Sequence, residues 1–181
     1  MDLEGKHVAI LAETQYEEVE LWYPKLRFLE EKMLVSVAGA GEDVYYSKYG
    51  YPVQVDASVE KVDVGGFDAV VIPGGFAPDY MRRNMAMVEF VRKANEQNKV
   101  IGAICHGGWM LVSANIIKGK NVTGFHSIKD DLINAGGKYH DSPVVQDHNI
   151  ITSREAADLP VFCTKIFEVL AAKQVTVSTM P

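Results

Sequence analysis

Cysteine is scarce in this chain: only Cys105 and Cys163 occur among 181 residues, too few for a disulfide framework. Each thiol is therefore read by its own surroundings, as reactive or as buried. An excess of positive charge is also missing, with 18 Lys plus Arg against 24 Asp plus Glu and a formal charge of -6. Nucleic acid is thereby excluded as an expected partner, because a phosphate polymer requires a basic footprint. No apolar run approaches the roughly 18 to 20 residues of a membrane helix, and the opening Met-Asp-Leu-Glu-Gly-Lys-His lacks the regions of a signal peptide. No membrane contact and a cytoplasmic location are the expectation. The histidines His7, His106, His126, His140 and His148 fit no H-x-x-x-H or C-x-x-C pattern, so no protein metal cage is expected. Internal repeats, low-complexity tracts and interdomain linkers are absent as well, which leaves one domain over residues 1–181 as the simplest organisation.

What is present is an alternation of two periodicities. His7–Ala12, Leu34–Ala38, Ala69–Ile72 and Val100–Ile104 are short apolar, β-prone runs that read as buried strands. Between them lie helical patterns. Tyr16 to Lys32 places Val19, Trp22, Leu26 and Leu29 on one face, and its interior Pro24 removes the hydrogen bond to the carbonyl of Glu20. Met81 to Asn98 carries Met81, Met85, Val88 and Val91 at helical spacing, and a further helix is expected from Cys105 to about Ile117. Gly39 to Asp56 reads as a hairpin or edge excursion. Val122–Phe125, Val144–Gln146 and Ile150–Thr152 read as short strands before a closing helix, Pro160–Lys173, with Phe162, Ile166, Phe167 and Leu170 inward. The alternation implies an α/β fold, a doubly wound, mainly parallel sheet sandwiched by helices.

In such sheets chemistry collects at the carboxyl ends of the strands. Gly102-Ala103-Ile104-Cys105-His106-Gly107-Gly108 places a nucleophile among small residues where a strand becomes a helix, the form of a nucleophile elbow. A helix N-terminus there is expected to lower the thiol's pKa. Cys163 lies on the apolar closing helix and reads as structural. Pro73-Gly74-Gly75 follows a neighbouring strand and suits an oxyanion hole built from backbone N–H groups, although a plain turn has the same composition. Glu20, in the first turns of the helix after the first strand, faces either solvent or the same crevice.

These residues are similar to those of a known family. Tyr16-Glu17-Glu18-Val19-Glu20-Leu21, Ile72-Pro73-Gly74-Gly75-Phe76-Ala77-Pro78-Asp79, Ala103-Ile104-Cys105-His106-Gly107, Ile128-Lys129-Asp130-Asp131 and Thr152-Ser153-Arg154 occur in the order of the PfpI family. That family is named for an intracellular protease and belongs to the superfamily of the parkinsonism-associated redox and deglycase protein. The resemblance runs from about Val8 to Leu170 and implies a flavodoxin-like, glutamine amidotransferase-like fold. It further implies Cys105 as nucleophile, His106 as its partner, Glu20 as a protonated acid bonded to the thiol, and Gly75 and His106 as oxyanion-hole donors. The family draws its third catalytic acid from a neighbouring subunit, and Asp79 stands at that position, which implies a homo-oligomer, a dimer or hexamer. The aspartate is one methylene shorter than the glutamate of some members.

Substrate contact is expected from Tyr16, Gly74, Phe76, Trp109, His126 and Arg154, the bulky ones enclosing a small site. The resemblance implies cofactor-independent chemistry on a reactive aldehyde such as methylglyoxal, or on glycated protein or peptide. Two alternatives accompany it: peptide hydrolysis by the same thiol, and redox sensing through oxidation of Cys105.

Overall fold

The computed structural model describes residues 3–178, with side chains described to residue 173 in the closing helix. Met1, Asp2 and residues 179–181, part of the single-domain expectation, lie outside the described residues. In chain order the elements are β1 (His7–Leu11), α1 (Glu18–Glu30), β2 (Leu34–Gly39), β3 (Val44–Tyr46), β4 (Pro52–Gln54), β5 (Ala57–Ser58) and β6 (Ala69–Ile72). There follow α2 (Ala77–Met81), α3 (Met85–Glu96), β7 (Val100–Ile104), α4 (Gly108–Ser113), β8 (Asn121–Val122), α5 (Lys129–Asn134), β9 (Lys138–Tyr139), β10 (Val144–Asp147), β11 (Ile150–Ser153) and α6 (Leu159–Ser178).

The central sheet has seven strands in the order β10-β11-β7-β6-β1-β2-β5, all parallel except the antiparallel edge pair β10 and β11. Its central strands are buried on both faces, which is why β6 and β7 read as continuous apolar runs. From β1 the chain moves outward to β2 and then returns to the other side through β6 and β7, so the winding reverses between β1 and β6. The register pairs Ile10 with Val71 and Ile72 with Ala103, bringing the carboxyl ends of β1, β6 and β7 together at that reversal. Crevices form there because consecutive crossovers depart in opposite directions. Helices α1 and α6 cover one face, joined by the edge-to-face contact of Phe28 on Phe167 at 5.6 Å; α3 and α4 cover the other. Phe162, Ile166, Phe167 and Leu170 are all buried, as the closing-helix pattern implied.

Several expected elements differ, each for a local reason. In α1 Val19, Leu26 and Leu29 of the expected stripe are exposed and Trp22 is half-buried, whereas Glu20, Leu21, Pro24 and Phe28 face the core. Both faces of this helix are rich in apolar residues, and periodicity alone does not say which one meets the sheet. The run Met81–Asn98 is two helices, because Asn84 leaves helical geometry and caps α3 through its side chain, accepting from the Ala86 N–H at 2.9 Å. Met85 at the start of α3 is exposed accordingly. The helix after Cys105 begins as a 3-10 turn and ends at Ser113, short of Ile117, with Asn115 in the left-handed region at φ 57°. The hairpin expected between Gly39 and Asp56 is β3 paired antiparallel with β4, a ribbon separate from the main sheet. No helix among the described residues is long and apolar enough to cross a membrane.

Candidate active site

The elbow stands at the end of β7. Cys105 adopts φ 58°, a left-handed conformation that costs a non-glycine residue about 1 kcal/mol or more. Its neighbours must be small: a Cβ on Gly107 would lie 2.5 Å from the Ile72 carbonyl oxygen. Strand β6 supplies the opposite wall through Pro73-Gly74-Gly75. Gly75, at φ 78°, lies flat against the segment before α1, where a Cβ would meet the Gln15 carbonyl oxygen at 2.5 Å. Glu17 N–H to Gly74 C=O at 3.2 Å and Phe76 N–H to Gln15 C=O at 2.9 Å fasten the two segments.

This fastening delivers Glu20 to the thiol. The carboxyl is 2 % exposed, accepts the Gly74 N–H at 2.8 Å and is hydrogen-bonded to Cys105. Gly74 has no room for a side chain, since a Cβ would lie 2.6 Å from Glu20 Oε2 and 2.8 Å from Cys105 Cβ. Burial, reinforced by the nearby Glu17 charge, pushes the Glu20 carboxyl up to about 7, against the opposing pull of the Gly74 N–H, the Cys105 thiol and the Lys48 ammonium. Glu20 is thus poised to hold or release a proton near neutrality.

The thiol itself is corrected from the expectation. Burial, with Glu20 close by, pushes Cys105 well above the ordinary thiol range, although the N–H groups of His106 and Gly75 point at the sulfur and favour the thiolate. The desolvation of a residue only 9 % exposed outweighs a short helix terminus. Carboxyl and thiol are one coupled pair, because negative charge on Glu20 is part of what opposes negative charge on Cys105.

His106 Nδ1 lies 3.3 Å from Cys105 Sγ, and its Nε2 lies 3.1 Å from Ser127 Oγ. The ring is held edge-on against Trp109 and tilted against Phe125, each at 5.0 Å between centroids. Burial, with the His126 ring and the Lys48 ammonium nearby, lowers its pKa and favours the neutral imidazole, the form able to accept a thiol proton.

Cys105 opens into a cavity of about 420 Å³ lined by Glu17, Glu20, Lys48, Gly75, Phe76, Cys105, His106, Phe125 and the segment Glu155–Ala157. Of the expected substrate contacts only Phe76 lines it. Tyr16 is fully buried, donating its hydroxyl to the Tyr51 carbonyl at 2.7 Å and accepting from Trp22, and Gly74 lies beneath the wall. Trp109 stands behind His106, its indole N–H bonded to Asp131 at 2.8 Å, while His126 is exposed beside Phe125. Arg154 is engaged by Asp158 at 2.9 Å and Asp141 at 2.8 Å, clamping the turn whose Ala156 and Ala157 form the far wall. Asp79 is on α2, ion-paired with Arg83 rather than bonded to His106. Among the described residues no group of three or more His, Cys, Asp or Glu side chains is arranged to hold a metal ion.

Sequence reasoning missed Lys48, Glu17, Phe125, Glu155 and Ser127. Glu17 stood inside a recognised motif and Phe125 beside His126. Lys48, in the β3–β4 loop and ion-paired with Glu17, carries no local signal because a neighbouring element brings it to the mouth.

Comparison with known proteins places these features in a wider set. The sequence profile of the DJ-1/PfpI family matches residues 6–169. The chain is 41% identical over 160 residues to the putative cysteine protease YraA of Bacillus subtilis, covering 87% of this chain and 94% of that one. It is 39% identical over 163 residues to deglycase PfpI of Pyrococcus furiosus, covering 90% and 98%. Among solved structures, a two-domain protein of Anabaena variabilis with DJ-1/ThiJ/PfpI-like and ferritin-like domains superposes with a TM-score of 0.90 at 42% identity. That match covers 92% of this chain and 48% of the two-domain chain.

Proposed function

The chain belongs to the DJ-1/PfpI family, and from that premise we propose that it is a cofactor-independent cysteine enzyme acting on small reactive carbonyls, of the deglycase or glyoxalase type. The observation that carries this reading is the cavity. At about 420 Å³, with Cys105 at its base and Phe76 and Phe125 on its walls, it suits a three-carbon aldehyde or a single glycated side chain better than an extended polypeptide.

On methylglyoxal the chemistry balances without a cofactor. His106 Nδ1 takes the Cys105 proton while the sulfur bonds to the aldehyde carbon, and the carbonyl oxygen faces the Gly75 and His106 N–H groups. Glu20, titrating near neutrality, moves a proton from the former aldehyde carbon to the neighbouring ketone carbon. As the alkoxide at the first carbon becomes the thioester carbonyl, the His106 imidazolium returns the thiol's proton to the former ketone oxygen, so the first carbon is oxidised and the second reduced, leaving a thioester of a hydroxy acid. Water then cleaves that bond, releasing lactate and restoring the thiol.

The test is a side-by-side assay of pure protein on methylglyoxal and on peptide amides, with Cys105→Ser as control. Lactate formed without added cofactor, and absent with Cys105→Ser, is expected. Amide cleavage without aldehyde turnover would transfer the assignment to a peptidase. Selective peroxide oxidation of Cys105 with no turnover of either substrate would transfer it to a redox sensor.

A further inference from the structure

The order of strands in the sheet fixes where the charges of the cavity lie. Glu17 follows β1, Cys105 follows β7 and Glu155 follows β11, and β7 stands between β11 and the β6–β1 side of the sheet. The thiol therefore has Glu17 and Lys48 on one flank and Glu155 on the other. The cations near it are engaged by other carboxylates: Lys48 is ion-paired with Glu17, and Arg154 is held by Asp158 at 2.9 Å and by Asp141 at 2.8 Å. Those pairs cancel or exceed the positive charge, so the Glu155 carboxylate makes its flank negative. Phe76 and Phe125 share the walls, and ring faces beside a carboxylate attract guanidinium and ammonium groups. We propose that Glu155 is a specificity-determining residue, selecting carbonyl substrates that carry a guanidinium or ammonium group beyond the reacting carbon over substrates that carry negative charge there. The inference rests on the carbonyl chemistry proposed above and names the charge that its substrate bears.

The backbone holds Glu155 in place. Ser153, at the end of β11, pairs in register with Ile104, the residue before the nucleophile, so Glu155 leaves the sheet beside the elbow. Its backbone is extended, at φ -160° and ψ 172°, and its carbonyl accepts the Asp158 N–H at 2.9 Å, closing the 3-10 turn Ala156–Asp158. On the other side, the Arg154 guanidinium bonds both carboxylate oxygens of Asp158, at 2.9 and 3.2 Å. The chain before and after Glu155 is thus tied down, while Glu155 itself is exposed at the cavity edge. Glu17 and Lys48 act on the opposite flank, where their charges bear on Glu20. A substrate bound at Cys105 meets the proton-transfer groups on that side and the Glu155 carboxylate on this one, which separates chemistry from recognition.

Methanethiosulfonate reagents of opposite charge read the field at Cys105 directly. Labelling rates are measured on the intact, natively assembled protein with the trimethylammonium-ethyl and the sulfonate-ethyl reagent, and each is divided by that reagent's rate with free mercaptoethanol. Cys105 is resolved from Cys163 by peptide mass. The corrected ratio is expected to favour the cationic reagent by about fivefold. Glu155→Gln should lower it by about fivefold and Glu155→Lys should reverse it. Glu4→Gln, which removes the same charge ahead of β1 at the opposite end of the sheet, should leave the ratio as in wild type. Salt at about 1 M should compress the wild-type ratio toward one. A ratio unmoved by both Glu155 variants would overturn the proposal; an equal fall in Glu4→Gln would do so as well, by giving the effect to net charge. Labelling needs no turnover, so it judges Glu155 even if methylglyoxal is not a substrate. Lactate formation beside an unmoved ratio would overturn this inference and leave the carbonyl chemistry standing.

Discussion

The two cysteines are a controlled pair within one molecule. Both are buried, both are free, and burial pushes both upward, Cys163 to about 12 and Cys105 further. Desolvation therefore does not distinguish a nucleophile from a packing residue. The difference lies in the surroundings. Cys163 sits in the regular backbone of α6, buried to 1 % among Phe162, Ile166 and Phe167, and burial is the largest influence on its thiol. Cys105 sits at a left-handed turn, facing a cavity, with a carboxyl, an imidazole and two backbone N–H groups around its sulfur. A thiol with a high resting pKa becomes useful when a neighbour takes its proton at the moment of attack, and only Cys105 has such neighbours.

The largest contrast expected is in turnover. Cys105→Ser should lower kcat by at least about a thousandfold, while Cys163→Ser should keep turnover and lose about 1–3 kcal/mol of stability by burying a hydroxyl among apolar side chains. Comparable activity losses in the two variants would erase the distinction. Next comes Gly74→Ala, whose added carbon would have to displace Glu20 Oε2 or Cys105 Cβ. A fall in kcat of about a hundredfold is expected from misplacing the pair, with about 1–3 kcal/mol of overpacking seen in denaturant melts. A fully active Gly74→Ala would mean that the spacing of carboxyl and thiol is not critical.

The third expectation concerns pH. The folded Glu20 titrates near 7, above its ordinary value of 4.5, so between those values the folded state binds the extra proton. Stability from this group is thus fully present below about pH 4.5 and lost as pH rises through 7, by up to about 3 kcal/mol. Glu20→Gln removes the titration and should flatten that part of the stability curve; a slope unchanged from wild type would show that Glu20 is not the buried acid. The smallest effect is in labelling. Iodoacetamide should modify Cys105 about tenfold faster than Cys163 in folded protein, and the ratio should fall to about one in denaturant. Preference for Cys163 in the native state would reverse the comparison.

How much of this was legible depended on whether the cause was local. Ala69–Ile72 and Val100–Ile104 appear in the structure with the limits read from the chain, because each is an apolar run bounded by glycine-rich or polar residues. The helix of the Tyr16–Lys32 segment is legible, but Val19, Leu26 and Leu29 of its apolar stripe face solvent: the side carrying Glu20 is buried because the Gly74 N–H and the Cys105 thiol compensate it. The Asn84 cap splits one expected helix into two, because a capping side chain ends one helix and starts the next without interrupting the methionine spacing.

The sequence by itself determined the alternation of strands and helices, the small residues around Cys105 and the glycine pair after β6, since these are requirements of backbone conformation and steric room at single positions. Tertiary structure alone decided the ionisation of Cys105 and Glu20, the cavity walls, and the group that meets His106. Those depend on distances between β1, β6, β7 and the 126–128 turn, elements far apart in the chain. Desolvation and Coulomb interaction act through space, so a residue's charge state is written into its neighbours rather than into its own segment.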